Sequence, residues 1–295
     1  MAGSIPMQDS PKRPAPYDQL VFSGGGLRCF WHGGWMEAAG ATFRFDPVRV
    51  TGSSGGALSA AAWIARREDH LFDRFTRALR QADDNFTWDD TDDAHGRSAH
   101  QRIYATIVED VIDADAVAAI ADGPAFQISV STPGKGRGAM AKALVGGTIY
   151  QAEQAISPTP RPRLSAITGL EQRLIDARAA ARDGTLPDLI RMAATVPPAF
   201  RADKWNGEPI FDGGQVDKAP LPDPDSGRTL VLLTKRFHAL PDDAEGSRID
   251  YVQPSQPVLD GSKLDFTDPG LLRQAWDRGR DDGVAWLDDH QTETD

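Results

Sequence analysis

The sequence has little cysteine, since Cys29 is the only one among its 295 residues. A single thiol forms no disulfide within its own chain and supplies no cysteine-based zinc site, so both sources of stability are excluded. A reducing compartment is the natural setting for such a chain. We therefore expect a cytoplasmic protein.

Long apolar runs are also lacking. No run approaches the roughly 20 residues that a membrane-spanning helix needs. The segment Met1–Tyr17 has no apolar stretch of the kind found in secretory signals, and it is rich in proline and polar residues. This composition predicts a flexible tail over residues 1–16. Residues 17–295 are enough for one large α/β domain.

Positive charge is in short supply. Lys and Arg total 32 against 43 Asp and Glu, which gives a formal net charge of -11. Nucleic-acid binding takes much of its affinity from the neutralisation of phosphates by basic side chains, and adsorption to an anionic bilayer also needs positive charge. The composition argues against both, so any contact with lipid should use a local apolar surface.

Acidic residues are concentrated in one stretch. Pairs of aspartates stand at positions 83–84, 89–90 and 92–93. We interpret the region from about residue 68 to residue 100 as a cap-like excursion of helix and loop that covers a sheet. The spacing of a calcium-binding EF-hand is absent, so a solvated acidic loop is the favoured explanation and no metal site is predicted.

Glycine, by contrast, is concentrated where predicted strands meet predicted helices. The short apolar segments Leu20–Phe22 and Pro47–Val50 each end at glycines, and a helix-forming segment follows each of them. This order predicts a βαβ unit with parallel strands and a right-handed crossover. Further strands are predicted at Phe126–Val130 and Thr229–Thr234, with a mainly helical region between them.

The second glycine turn contains a candidate nucleophile. Gly52-Ser53-Ser54-Gly55-Gly56 fits the pattern Gly-x-Ser-x-Gly between a strand and a helix, with Gly52 and Gly56 as the elbow glycines. In this motif the serine lies on a strained turn, and the small flanking residues let the strand and the helix pack closely. Ser53 fits less well, because it would need a glycine at position 51, which is threonine. A glycine-rich turn without chemistry is the alternative.

The first glycine turn contains candidate oxyanion donors. A run of glycines at the start of a helix exposes backbone N–H groups, which stabilise a developing negative charge. A dinucleotide loop is disfavoured because its third glycine would fall at Cys29, and no Lys-Ser/Thr pair follows as in a phosphate loop. The two turns end adjacent strands, so they lie at the same edge of the sheet. Arg28 would rigidify the loop or add positive potential.

A candidate base follows a third apolar segment. Asp212 comes directly after Ile210-Phe211 and precedes two glycines. An exposed aspartate is a weak base at neutral pH, but desolvation raises the pKa of a carboxyl group. An ordinary Asp-Gly turn is the alternative explanation. Upstream, the segment Ala193–Phe200 reads as a helix that ends at two prolines.

In this order along the chain, these pieces resemble the patatin-like phospholipase family, and bacterial members in particular. The resemblance covers roughly Tyr17–Gly214, and Leu264–Arg280 is similar to the C-terminal stretch of bacterial members. It departs at Ser23, where many members have aspartate. The resemblance implies a three-layer α/β/α fold with a mostly parallel central sheet. It also implies hydrolysis of lipid acyl esters by a Ser-Asp dyad, without histidine, metal or organic cofactor.

The resemblance also implies roles for single residues and a class of substrate. Ser54 would be the nucleophile and Asp212 the base. The implied oxyanion hole consists of Gly24, Gly25, Gly26, Arg28 and Gly55. The substrate would be a phospholipid or another acyl-ester lipid, reached by transient contact with a membrane surface. We expect activity to be gated by a lid, for which the acidic segment 83–93 is a candidate, by a regulatory partner or by formation of a homo-oligomer.

Two alternatives stay open. The order Ser54, Asp212, His238 is also the order of the catalytic triad in α/β-hydrolases. The short distance along the chain between the two glycine turns disfavours it, because only one crossover helix fits there. The second alternative is a catalytically silent protein that binds a lipid or a partner through the same fold.

Overall fold

A computed structural model describes residues 12–81, 99–134, 159–160, 169–196, 203–241, 248–263, 265 and 267–291. The strands in these residues are β1 (Arg13–Pro14), β2 (Gln19–Phe22), β3 (Phe43–Arg44), β4 (Arg49–Ser53), β5 (Ala125–Pro133), β6 (Leu170–Asp176), β7 (Asp203–Trp205), β8 (Glu208–Asp212), β9 (Thr229–Leu232) and β10 (Ile249–Val252). The helices are α1 (Phe30–Thr42), α2 (Gly55–Ala65), α3 (Glu68–Gln81), α4 (Ala99–Val111), α5 (Ala114–Asp122), α6 (Ala177–Arg182), α7 (Leu186–Met192) and α8 (Gly270–Gln291). Short 3-10 turns lie at Gly26–Cys29 and Gly213–Gln215.

The central sheet is mostly parallel. Its strands follow the order β10-β9-β2-β4-β5-β8-β7. The eighth strand, β6, pairs with β5 but is not part of this linear order. The five strands from β10 to β5 are parallel, whereas β6 and β8 run antiparallel to β5 and β7 runs antiparallel to β8. With helices around this sheet, the fold is the predicted three-layer α/β/α arrangement.

The middle strands are buried on both faces, as expected for parallel strands between two covering layers. All four residues of β2 and of β9 are buried. On one face, Leu20 and Phe22 belong to the main hydrophobic core with α1 and α2. On the other face, Val21 and Val231 pack with residues of the segments that follow β8 and β9.

Strand β5 brings the ends of β4 and β8 together. Ser53, the last residue of β4, is the partner of Ser129 in β5. The next residue of β5, Val130, is the partner of Asp212, the last residue of β8. The antiparallel β6 occupies the opposite edge of β5 over the same residues. The C-terminal ends of β4 and β8 therefore meet on one side of β5.

Helices α1 and α8 pack closely because glycines lie at their crossing. A Cβ atom on Gly34 would be 1.9 Å from the carbonyl oxygen of Trp276, and one on Gly279 would be 2.1 Å from that of Trp31. The indole N–H of Trp31 also donates a hydrogen bond to Asp282 at 2.7 Å. Trp31 and its neighbour Trp35 are fully buried, so these aromatic residues belong to the core.

Two regions, the predicted tail and the predicted helical middle, differ from the sequence-based expectations. Arg13–Pro14, in the predicted tail, pair with β3 and are attached to the body. The predicted cap-like excursion at about 68–100 begins with α3, whose Leu71, Phe72, Phe75 and Leu79 lie in the main core. Residues 82–98, which contain the acidic pairs, lie outside the described part. The expected helical middle contains β6, a strand held by its pairing with β5.

Candidate active site

Ser54 lies on a sharp turn between β4 and α2. Its backbone has φ 54° and ψ -133°, a conformation that residues other than glycine rarely adopt. A Cβ on Gly52 would be 2.6 Å from Ala57 Cα, and one on Gly56 would be 2.3 Å from the Phe22 carbonyl oxygen. Only glycine fits at either position. The turn leaves Ser54 half-buried at the end of the sheet.

Asp212 faces Ser54 from the end of β8. The Ser54 hydroxyl donates a hydrogen bond to Asp212 Oδ2 with an Oγ–Oδ2 distance of 2.5 Å. The Gly214 N–H donates to Oδ1 at 2.7 Å, so both carboxylate oxygens are held. The Asp212 N–H donates to the Thr195 carbonyl at 2.8 Å, which anchors the strand end to the segment after α7. The structure thus brings together the serine and the aspartate that the sequence singled out.

Burial sets the basicity of Asp212. The side chain is 6% exposed, and loss of hydration raises its pKa above the ordinary aspartate value. The hydrogen bonds from Ser54 and Gly214 act in the opposite direction, as do the positive charges of Lys263 and Lys218. The result is a carboxyl group that binds a proton more readily than an exposed aspartate.

The glycine loop lies next to Ser54. A Cβ on Gly24 would be 3.1 Å from Ser54 Cβ, and one on Gly55 would be 3.6 Å from the backbone nitrogen of Gly26. Gly26 begins a 3-10 turn and Gly55 begins α2, and the first N–H groups of a helix have no partner within it. The two helix starts therefore present backbone donors side by side.

Gly24 differs from its predicted role as a donor. Its N–H already donates to the carbonyl oxygen of Lys218 at 2.9 Å, so this amide is occupied and Gly24 contributes space beside Ser54 instead. Gly25 and Gly26 keep the predicted position at the site. The Gly24 carbonyl accepts a hydrogen bond from Thr234 Oγ1 at 2.7 Å, which fastens the loop to the end of β9.

Arg28 supports the glycine loop from behind. Its Nε donates to the Gly25 carbonyl oxygen at 3.3 Å, and the side chain is half-buried. Desolvation lowers the pKa of this guanidinium, which has no described carboxylate as an ion-pair partner. This hydrogen bond to Gly25 corresponds to the first of the two roles predicted for Arg28, which is to rigidify the loop.

A small cavity joins these parts. It has a volume of about 50 Å³ and is lined by Gly24, Gly25, Gly26, Ser54, Val196, Asp212, Gly214, Gln215, Lys218 and Lys263. The two lysines were not predicted from the sequence. Lys218 follows the Asp-Gly-Gly segment without belonging to its pattern, and Lys263 lies in a loop far along the chain. No local signal marks either of them.

Other reactive groups lie apart from this cavity. His238 is exposed in the segment after β9, whereas Asp212 contacts Ser54 directly. Cys29 is buried, which raises its pKa to about 12, and burial lowers the pKa of His32 to about 3. Within the described residues, no three His, Cys, Asp or Glu side chains are grouped as metal ligands. None of the helices in the same residues is long and apolar enough to cross a membrane.

The similarity of the chain to known proteins identifies its family. Among solved structures, the crystal structure of VipD from Legionella pneumophila has a TM-score of 0.48 and 12% sequence identity, covering 94% of this chain and 67% of that chain. Comparison with curated protein sequences gives no match. The family model of patatin-like phospholipase matches residues 20–225, a range that contains the glycine loop, the serine elbow and Asp212. Because this match covers more than half of the chain, the protein belongs to the patatin-like phospholipase family.

Proposed function

We propose that the protein hydrolyses lipid acyl esters through a Ser54-Asp212 dyad and an acyl-enzyme intermediate. Family membership implies a serine-type lipid hydrolase in general terms. The observation that supports the dyad is the 2.5 Å hydrogen bond from the Ser54 hydroxyl to the buried Asp212 carboxylate. A base in direct contact with the hydroxyl needs no intervening histidine.

In the first step, Ser54 Oγ forms a bond to the ester carbonyl carbon while its proton passes to Asp212 Oδ2. When the tetrahedral intermediate collapses, the bond from carbon to the alcohol oxygen breaks. The departing alcohol takes the proton from Asp212, and the acyl group stays on Ser54. The raised pKa of Asp212 favours both proton transfers because a base with a pKa nearer neutrality accepts and returns a proton readily.

In the second step, a water molecule attacks the acyl carbon and gives a proton to Asp212. The bond from carbon to Ser54 Oγ breaks, Oγ recovers the proton, and the fatty acid leaves. Each step regenerates the carboxylate, so the dyad needs no other proton donor. The N–H groups of Gly25, Gly26 and Gly55 are the proposed donors to the oxyanion. In comparable sites the loss of one such donor costs about 3–4 kcal/mol of transition-state stabilisation.

A fluorophosphonate probe tests the nucleophile. We expect the probe to label the wild-type protein and the Ser53→Ala variant, but not the Ser54→Ala variant. Wild type should also hydrolyse short acyl esters, and Ser54→Ala should not. Ser53 is the matched control because it is adjacent, also carries a hydroxyl group, and donates to the Asp217 carbonyl instead of to Asp212. Labelling of Ser54→Ala would refute the assignment of the nucleophile.

Two further variants separate the alternatives. Asp212→Asn should lose turnover, whereas His238→Ala should keep it, because His238 is exposed and Ser54 already has a base. Loss of turnover in both variants would support the triad, in which His238 is the base and Asp212 orients it. If wild type is neither labelled nor active on any ester, the protein is the catalytically silent alternative. Transient membrane contact and a regulatory partner or homo-oligomer stay predictions.

A further inference from the structure

Basic side chains surround the proposed active site. Lys218 and Lys263 line the cavity together with Ser54 and Asp212. Lys218 also interacts electrostatically with Lys235 and Arg28, which lie near enough to repel its ammonium group. Four basic side chains thus gather in a protein whose formal net charge is -11. Asp212 is the carboxylate with which the two cavity lysines interact.

The two cavity lysines lack the partners that buried charges usually have. Lys218 is only 8% exposed, and Lys263 is half-buried. In the part of the chain that the structure describes, every ion pair involves other residues, so neither ammonium lies within 4.0 Å of a described carboxylate. Neither forms a side-chain hydrogen bond with another described residue. Buried charges are normally paired, and these two residues instead line the cavity without such a pair.

This arrangement is costly when the cavity is empty. Burial and the repulsion from Lys263, Lys235 and Arg28 lower the pKa of Lys218 to about 6. The pKa of Lys263 is lowered for the same two reasons, burial first and then repulsion from Arg28. An anion in the cavity would supply the missing countercharge and relieve both the repulsion and the lost hydration.

We propose that Lys218 and Lys263 form an anion subsite that receives the phosphate of an anionic phospholipid while its acyl ester lies at Ser54. This inference rests on the proposed function, since it names the substrate class of the same site. Both the lysines and the dyad line the same cavity of about 50 Å³. The anion and the scissile ester must therefore be only a few bonds apart in the substrate. In a glycerophospholipid, phosphate and acyl ester are attached to the same glycerol unit.

The charge of the site also selects among head groups. Four basic side chains against one carboxylate favour a phosphate, because a bound anion draws a proton onto Lys218, and they disfavour a choline or ethanolamine ammonium group. We therefore infer a preference for anionic over zwitterionic phospholipids, and for either over neutral glycerides. The negative charge of the whole protein disfavours general attraction to anionic surfaces, so this preference originates within the cavity.

Water-soluble substrates test the subsite without interference from membrane binding. Dihexanoyl phosphatidic acid, dihexanoyl phosphatidylcholine and dihexanoylglycerol carry the same acyl chains and are compared below the concentration at which they form micelles. We expect kcat/KM to decrease in that order. In Lys218→Met and in Lys263→Met, the ratio of phosphatidic acid to dihexanoylglycerol should fall by about tenfold, the effect of losing one charge-assisted hydrogen bond.

Lys204→Met is the matched control. Lys204 is an exposed residue of β7 and does not line the cavity, so its substitution removes one positive charge without touching the site. This variant should keep the wild-type ratio. Equal kcat/KM for the three substrates, or ratios in the cavity variants equal to that of Lys204→Met, would overturn the inference. Inhibition by inorganic phosphate alone, with an unchanged lipid ratio, would assign the subsite to a free anion and overturn the head-group assignment.

A binding measurement separates this inference from the proposed function. Calorimetric titration of Ser54→Ala with dihexanoyl phosphatidic acid measures the subsite without turnover. Binding that weakens about tenfold when Lys263→Met is added supports the subsite even if wild type hydrolyses nothing. Binding that is unaffected by Lys218→Met and by Lys263→Met, in variants that keep the wild-type circular dichroism spectrum, contradicts the subsite even if Ser54 is an active nucleophile.

Discussion

At the scale of single residues, Ser54 combines a reactive position with an unfavourable backbone. Its φ of 54° and ψ of -133° cost an ordinary residue about 1–3 kcal/mol. The turn persists because Gly52 and Gly56 allow β4, α2 and β2 to approach closely, and because the Ala57 N–H donates to the Ser54 carbonyl at 2.9 Å. The packing around the elbow therefore holds the hydroxyl next to Asp212 at the expense of local backbone energy.

Because of this strain, we predict that the protein is more stable with glycine at position 54 than with alanine. Both Ser54→Ala and Ser54→Gly remove the hydroxyl and should be inactive. Glycine relieves the backbone strain, but it also gives the unfolded chain more conformational entropy, which favours unfolding. Because the relief of strain is the larger effect, we expect Ser54→Gly to be more stable than Ser54→Ala by about 1 kcal/mol. For a chain of this size that raises Tm by about 2–4 °C, measurable by calorimetry or circular dichroism.

Ser59 provides the control for the strain prediction. It lies within α2, where alanine is favoured over glycine by about 1 kcal/mol. The Ser59→Gly variant should thus be less stable than Ser59→Ala, the reverse of the order at position 54. If glycine is the less stable substituent at both positions, the Ser54 backbone stores no strain.

At the scale of elements, the crossing of α1 and α8 determines how tightly the C-terminal helix is attached. Gly34 and Gly279 lie where each helix meets the backbone of the other, and a hydrogen bond from the Trp276 indole to Glu37 at 2.6 Å adds to the contact. Both helices contribute to the main core that also contains Phe22, next to the glycine loop. The helix crossing and the active-site loop therefore depend on the same packing.

We predict that Gly279→Ala is strongly destabilising, whereas Gly40→Ala is stabilising. A Cβ on Gly279 would be 2.1 Å from the Trp31 carbonyl oxygen, so the helices must move apart at a cost of about 2 kcal/mol or more. A Cβ on Gly40, also in a helix, meets nothing within 4 Å, and better helix propensity should add about 0.5–1 kcal/mol. Urea unfolding measures both. Equal stability of the two variants would contradict the close crossing.

The elements that the sequence predicts are those with local signals. β2 contains the apolar run Leu20–Phe22, which Ser23 and three glycines follow, and the elbow after β4 has a fixed pattern, so short segments are enough to predict both. β6 has the sequence Leu-Glu-Gln-Arg-Leu-Ile-Asp, which carries no clear strand alternation. It becomes a strand because it pairs antiparallel with β5. Pairing between distant segments decides such cases, and local patterns do not report it.

The candidate site also combines residues that local motifs predict with residues that only the packing of distant segments brings in. Ser54, Asp212, Gly25 and Gly26 each belong to a short motif, and the structure brings them together. The occupied amide of Gly24 and the positions of the cavity lysines depend on how distant segments pack. The Gly24 N–H, for example, is taken by the carbonyl of Lys218, far away in sequence. Motifs reveal the reacting groups, whereas the charge around them emerges only from the fold.

At the scale of the whole molecule, the buried cations should govern how stability responds to alkaline pH. Burial and repulsion lower the pKa of Lys218 to about 6 and that of Lys235 to about 8, from ordinary values near 10.5. Below the ordinary value but above the folded pKa, the unfolded chain binds more protons than the folded protein. Stability therefore rises with pH in that window. Lys263 and Arg28 contribute to the repulsion that lowers the pKa of Lys218, and the negative charge of Asp212 acts in the opposite direction.

We predict that the protein becomes more stable between pH 7 and pH 9. Lys218 contributes over this whole range by up to about 1.4 kcal/mol per pH unit, whereas the half-exposed Lys235 adds a smaller, solvent-screened contribution mainly above pH 8. The opposing effect of Cys29, whose pKa burial raises to about 12, begins only near its ordinary value of 9.0. Tm should rise by a few degrees between pH 7 and pH 9 in wild type and in Lys204→Met, and less in Lys218→Met, which removes the main group. A Tm that falls over this range, or a slope unchanged by Lys218→Met, would show that Lys218 keeps its proton in the folded protein and has a countercharge within it.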